Sequence, residues 1–196
     1  YNQLLARQSR FRLDAEIVRD NALAVSGLLV TRVGGPSVKP YQPAGYWKHL
    51  NFPKRKWAPD SGVSQYRRGL YTFWCRTFLH PSMLAFDAPS PFNAVGRRTT
   101  SNVPSQALIL MNDPFVTGQA NLWAKRLRGQ ASETEERIKV LYESAFARLP
   151  SDSELDASRA FLVEQSKLHN ASEDSELPWR DLAHAIVNAK EFIFLN

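Results

Sequence analysis

Leu4, Phe11, Val18, Val25 and Leu29 recur at near-heptad spacing, and Gly27 with Gly34-Gly35 brackets the end of the run. This pattern predicts a helix over residues 3–29. Its polar side pairs Arg10 with Asp14 and Arg12 with Glu16 at i, i+4, a spacing worth only about 0.2–0.5 kcal/mol per pair. A second helical face, Leu70, Phe73, Trp74 and Phe78, predicts regular structure over 66–79, ended by Pro81. Pro104 opens a short apolar helix through Leu110.

Beyond residue 112 the punctuation is clearer. Asp113-Pro114 reads as an N-cap followed by proline at the first helical position, ahead of Val116, Ala120, Trp123 and Leu127. Ser132 with Glu135, and Ser151 with Glu154, match the capping-box pattern and introduce two further helices. After an acidic linker near 170–176, Trp179, Leu182, Ile186 and Val187 outline a last helix that closes on Phe192-Ile193-Phe194-Leu195.

Two stretches lack such order. Residues 31–65 hold Pro36, Pro40, Pro43, Pro53 and Pro59, with Tyr41, Tyr46, Trp47, Phe52 and Trp57 alternating with Lys48, Lys54, Arg55 and Lys56. Prolines at this density exclude a helix but leave room for short strands. Residues 80–104 form the second stretch, with Phe86-Asp87-Ala88-Pro89 and Arg97-Arg98 through Asn102. Long irregular segments in a compact domain are usually functional or mobile. The expected fold is an all-α, helical domain with two long irregular loops rich in Pro, aromatics and Arg. It forms a single domain over 1–196, with a basic, loop-rich half (1–112) and a helical half (113–196). A chain that opens at Tyr1, already inside a helical pattern, reads as a domain cut from a longer protein.

Composition narrows the class. With 43% hydrophobic and 22% charged residues, the chain is neither disordered nor fibrous. No apolar run approaches the ~20 residues that span a bilayer, and no export signal is present in this segment. Net charge is +6 and uneven. Residues 1–100 carry 15 Lys and Arg against 5 Asp and Glu, residues 101–196 carry 10 against 14, giving +10 and −4. A basic half suits an anionic partner such as nucleic acid, lipid headgroups or a sulfated polysaccharide. The alternative is that its arginines pair with carboxylates inside the domain. Cys75 cannot form an internal disulfide, and its aromatic surroundings suit a buried thiol.

No complete catalytic or metal site is legible. His49, His80, His169 and His184 are scattered, without CxxC, HExxH or the CxxCH of an attached haem; Met83 and Met111 suit packing better than axial ligation. No GxSxG elbow is present, and Gly34-Gly35-Pro36 reads as a turn rather than a phosphate loop. Glu16 and Asp20, flanked by Arg12 and Arg19, suit a salt-bridge network. The densest polar concentration is Arg67, Arg68, Asp87, Arg97, Arg98 and Asn102, followed by Asn112-Asp113. Pro89 stiffens the backbone near Asp87, whose side chain suits a turn or an arginine, and Asn102 before Val103-Pro104 suits a loop anchor. Two readings stand for this set: a lattice that locks both loops onto the helices, or a cleft for a glycan, with Trp47 and Trp57 as stacking platforms. No nucleic-acid motif accompanies the charge, so nucleic acid is not the expected partner.

Several blocks resemble one family: Arg67-Arg68-Gly69-Leu70-Tyr71-Thr72-Phe73-Trp74, Phe86-Asp87-Ala88-Pro89, Arg98 through Ser101-Asn102-Val103-Pro104-Ser105-Gln106, and Leu110-Met111-Asn112-Asp113-Pro114-Phe115. Arg12-Leu13-Asp14-Ala15-Glu16 and Arg148-Leu149-Pro150 also match. They resemble the planctomycete-type domain of unknown function that follows c-type cytochrome modules in large secreted proteins. Ser101 departs from the family's motif, which more often continues Arg-Thr-Asn. The resemblance implies a periplasmic or extracellular setting, upstream domains of the same chain as partners, and haem in those modules, with no cofactor in this segment. It carries no activity residue by residue. The function it implies is a scaffold or interaction role, and the alternative is a glycan-binding or glycan-active module for polysaccharide.

Overall fold

The structure, a computed structural model, describes Leu4, Ala6 and residues 10–46, 56–76 and 78–195. Its helices are α1 (Ala15–Ser26), α2 (Pro81–Ala85), α3 (Pro104–Asn112), α4 (Pro114–Gln130), α5 (Thr134–Phe146), α6 (Asp152–Leu168), α7 (Glu176–Val187) and α8 (Lys190–Ile193). Two short strands, β1 (Phe11–Arg12) and β2 (Phe194–Leu195), pair antiparallel, Phe11 opposite Leu195 and Arg12 opposite Phe194. The fold is all-α, as expected, and this ribbon ties its two ends together.

The core is built where α4 packs on α7, with α1 on one side and α6 on the other. Trp123, Ala124 and Leu127 of α4 and Trp179, Leu182 and Ala183 of α7 are buried with Ile138 and Leu141 of α5 and Leu162 of α6. Burying an aromatic or branched side chain contributes about 1.5–3 kcal/mol, so these residues hold the frame.

Helix boundaries follow local chemistry. Asp113 caps α4 by accepting from the Phe115 N–H at 2.8 Å, with Pro114 at the first helical position. Ser151 and Glu154 form the expected capping box at α6. Arg148 then spreads its guanidinium over Glu154 and Glu191, each contact at 2.7–2.8 Å, joining the start of α6 to α8. Cys75 is buried.

Three expectations are corrected. The first helix does not run over 3–29. It starts at Ala15, because Arg12 is extended in β1 and its side chain is drawn to residues 86–87; Gly27, at φ 81°, ends it as expected. Of the residues before Ala15, 1–3, 5 and 7–9 lie outside those described.

The described residues of 66–79 do not form the expected helix. The carbonyl of Val38 accepts from Phe73 N–H at 2.6 Å, and Val38 N–H donates to the Tyr71 carbonyl at 2.7 Å, so the backbone at 71–73 pairs sideways instead of coiling. Two 3-10 turns, Gly62–Tyr66 and Gly69–Tyr71, replace the helix. Leu70, one of its supposed buried positions, is 67% exposed. Pro81 opens α2 rather than ending a helix, with His80 as its cap. Among the described residues of the first irregular stretch, Val38 makes a single bridge to Thr72, and Val30, just before the stretch, makes another to Arg67, just after it.

Ser132 does not cap α5. Glu133 takes the N-cap position without a side-chain hydrogen bond. The buried Arg137 reaches back instead, donating to the carbonyls of Ala131 and Ser132 and to Asp174.

Candidate functional site

Arg12 in β1, and Glu16, Arg19 and Asp20 along the start of α1, reach out to the irregular segments and to the turn at 68–69. Arg12, its side chain 2% exposed, donates to the Phe86 carbonyl at 3.1 Å and to Asp87 at 2.8 Å. Glu16 receives both prongs of Arg98, at 2.7 and 3.0 Å. Arg19 donates to the Gln65 carbonyl at 2.8 Å and lies 4.3 Å over the Phe115 ring. Asp20 accepts from the Gly69 N–H at 2.5 Å and from Arg68 at 3.2 Å. Gly69 is needed there: a Cβ would sit 2.5 Å from the Glu16 carbonyl oxygen, closer than any side chain tolerates.

The electrostatics follow from these contacts. Burial pushes the Glu16 carboxyl up, but the Arg98 fork outweighs it and holds Glu16 below the usual carboxylate range. Asp87 is likewise held low: burial opposes, while the Ser101 N–H and hydroxyl and the Arg12 guanidinium stabilise the charged form. Burial depresses Arg19 to about 10, against the pull of Asp20 and Asp113. Asp113 is pushed up by its own burial.

Arg67 serves the first irregular stretch. It is buried, donates to the carbonyls of Gly34 and Pro36, and stacks 3.8 Å from the Tyr71 ring centroid. Trp57 donates its indole N–H to the Pro40 carbonyl at 2.8 Å and meets Phe73 edge-on at 6.0 Å. His80 bridges Ser82 at Nδ1 and the Tyr41 carbonyl at Nε2. Burial drives its pKa down to about 4, against the Tyr41 carbonyl, so the ring is neutral and donates from Nε2.

Arg67, Arg68, Asp87 and Arg98 thus meet acceptors or donors within the chain, through four separate contacts rather than around one cavity. Arg97 and Asn102 are exposed, and Trp47 lies outside the described residues. The loop anchor is Ser101, not Asn102: its N–H and hydroxyl both reach Asp87, at 2.8 and 2.9 Å. The sequence marks Ser101 only as a departure from a motif, and nothing in its spacing ties it to Asp87. Asp87 itself is in the left-handed region, φ 58°, a conformation a non-glycine residue holds only when its surroundings enforce it.

The consequence is a closed loop. Asp87 and Ser101 clamp the two ends of 88–101, and Arg98 fastens its body to α1. Phe92 (57% exposed), Val95 and Arg97 face outward from it. α3 continues the surface: Gln106 and Leu110 are buried, while Pro104, Ala107, Leu108 and Met111, at i, i+3, i+4 and i+7, are exposed. No Asp or Glu occurs between Asp87 and Asp113. The five carboxylates of residues 1–100 are all engaged, Asp14 and Glu16 by Arg98, Asp20 by Arg68, Asp60 by the Lys39 N–H and Asp87 by Arg12. Among the described residues every ion pair joins two residues of the same half of the chain, so the basic half is not neutralised by the acidic one.

The family model of PSD1, a protein of unknown function (DUF1553), matches residues 1–162. The chain belongs to this PSD1 family. No curated protein and no solved structure matches it. The PSD1 match takes in the whole fastening lattice on α1 and both irregular stretches, and it stops within α6. The packed unit goes further, since Trp179, Leu182 and Ala183 of α7 complete the core that the matched region begins. Among the described residues no group of three His, Cys, Asp or Glu could hold a metal ion. No helix among them is long and apolar enough to cross a membrane.

Proposed function

We propose that this PSD1 domain is a docking module of an exported multidomain protein. In this reading the 88–101 loop and the outward face of α3 form the surface on which a neighbouring module rests, such as a cytochrome-type module upstream. One observation carries the reading: partly buried ion pairs hold a loop whose apolar side chains point outward. Fixing a loop costs conformational entropy, roughly 1–2 kcal/mol per residue, and exposed apolar area rimmed by polar groups is a mark of interaction sites.

Amide hydrogen exchange compares the 196-residue domain with the same residues inside the full-length parent. Slower exchange over 92–111 in the parent is expected, lost in Leu108→Glu/Met111→Glu while the domain's melting temperature is unchanged. Equal exchange in both settings would refute the docking reading.

A sulfated polysaccharide is the second reading, favoured by the exposed Arg97 and by a basic half whose carboxylates are all engaged. Retention on immobilised heparin that falls steeply with salt and weakens in Arg97→Ala would support it over docking.

A further inference from the structure

A groove of about 540 Å³ runs between the first half of α4 and α7, and it shares no residue with the docking surface. Among the residues that line it is Gly118, in the interior of a 17-residue helix. Glycine there destabilises a helix relative to alanine, and no neighbour requires it, because a Cβ would meet nothing within 4 Å. The effect of Gly118 is to present bare backbone to the groove.

The walls are mixed polar and apolar, and several of their polar groups are held in place. His184 bonds the Leu110 carbonyl through Nε2 at 3.0 Å, leaving Nδ1 for a ligand. Asp181 is fixed by His169 at 2.5 Å and by Arg180 at 2.8 Å. Arg180 uses Nε and Nη2 on Asp181, so Nη1 remains. Asn121 lines the groove from α4 with an amide that offers donors and an acceptor. Charge is balanced: Glu176, which lines the groove, is paired by Lys125 from outside the lining at 3.2 Å, and Asp181 is paired by Arg180. Leu177 and Pro114 add small apolar areas.

From this balance we infer that the α4–α7 groove binds a neutral, polyhydroxylated ligand of the size of one or two sugar rings. Its volume is in the range of small-molecule sites, roughly 300–1,000 Å³. A net-charged ligand gains no net attraction from paired charges, whereas hydroxyls can both donate and accept. Asn121, Asp181, Arg180 and His184 supply the matching partners on fixed helices, and Leu177 supplies an apolar surface for a ring's C–H face.

The test is titration of the 15N-labelled chain with three neutral disaccharides, cellobiose, maltose and N,N′-diacetylchitobiose, and, for comparison, with zwitterionic diglycine and the sulfate anion. Saturable shifts of amides in 117–121 and 176–184 with at least one disaccharide are expected. Asn121→Ala should weaken that response about tenfold, the loss of a bond worth ~1.4 kcal/mol. Gly118→Leu, whose side chain enters open space and leaves the fold intact, should abolish it. Absence of saturable shifts with all three sugars, a stronger response to diglycine or sulfate, or unchanged binding by Gly118→Leu would overturn the inference. None of these outcomes bears on exchange at 92–111, so this site and the docking surface stand or fall separately.

Discussion

Arg12 and Asp87, 75 residues apart in sequence, meet at 2.8 Å with the arginine side chain 2% exposed. Nothing else neutralises that guanidinium within ion-pair distance among the described residues. Removing one partner of a buried pair leaves the other charge uncompensated, at a cost of about 3–5 kcal/mol. Asp87→Ala is therefore expected to destabilise the domain by roughly 3 kcal/mol, read from the urea midpoint. Arg12→Met, which removes the charge and keeps apolar volume, should cost less. Equal losses in the two variants would mean that the pair itself, rather than the stranded charge, sets the penalty.

Gly69 makes the opposite case from Gly118. A Cβ at 69 would lie 2.5 Å from the Glu16 carbonyl oxygen and 2.7 Å from its Cα, so Gly69→Ala must push the 67–71 turn off α1. Overpacking of this kind costs about 1–3 kcal/mol, and the Asp20 contact to the Gly69 N–H is lost with it. Gly118→Ala should instead stabilise by about 0.5–1 kcal/mol. Thermal melts of both variants check the signs, and a rise in melting temperature for Gly69→Ala would exclude the close approach.

His80 sets an acid limit. Its folded pKa is lowered to about 4 from an unfolded value of 6.5, so below pH 6.5 the unfolded chain takes up a proton that the folded chain refuses. The stability that this group contributes is full above pH 6.5 and is lost as pH falls toward 4, on the order of 3 kcal/mol in all. His80→Asn keeps a capping side chain at the start of α2 and removes the titration. Stability measured between pH 7 and pH 4 should fall less steeply in that variant; identical slopes would show that His80 is not the group responsible.

Helices whose ends carry their own chemistry were legible in the chain. Asp113-Pro114 and Ser151/Glu154 mark α4 and α6 because a cap is a contact between residues two or three apart, visible in a linear sequence. Residues 66–79 misled for the converse reason. Their apolar spacing fits a helix, but their backbone groups are taken by Val38, over thirty residues upstream, and no local pattern encodes that partner. The lattice was half legible. Glu16 and Asp20 flanked by arginines announce a network, and Asp87 beside Pro89 announces a fixed turn. Which arginine meets which carboxylate depends on how the two irregular stretches fold back over α1. For the same reason Ser101 passed as a variation, and the groove over Gly118, built from two helices some sixty residues apart, left no motif at all.

The central claim is that Arg12 of β1 and Glu16 of α1 fasten the second irregular stretch, through Asp87 and Arg98, so that the 88–101 loop presents a fixed surface. Amide hydrogen exchange across 88–101 in the wild-type chain and in Arg98→Ala tests it most directly. Arg98 binds Glu16 with both prongs, and a lysine cannot reproduce that fork. Exchange should accelerate at least tenfold throughout 88–101 in Arg98→Ala and in Arg98→Lys, with α4 and α7 unaffected. Exchange equal to wild type across the loop in both variants would contradict the account.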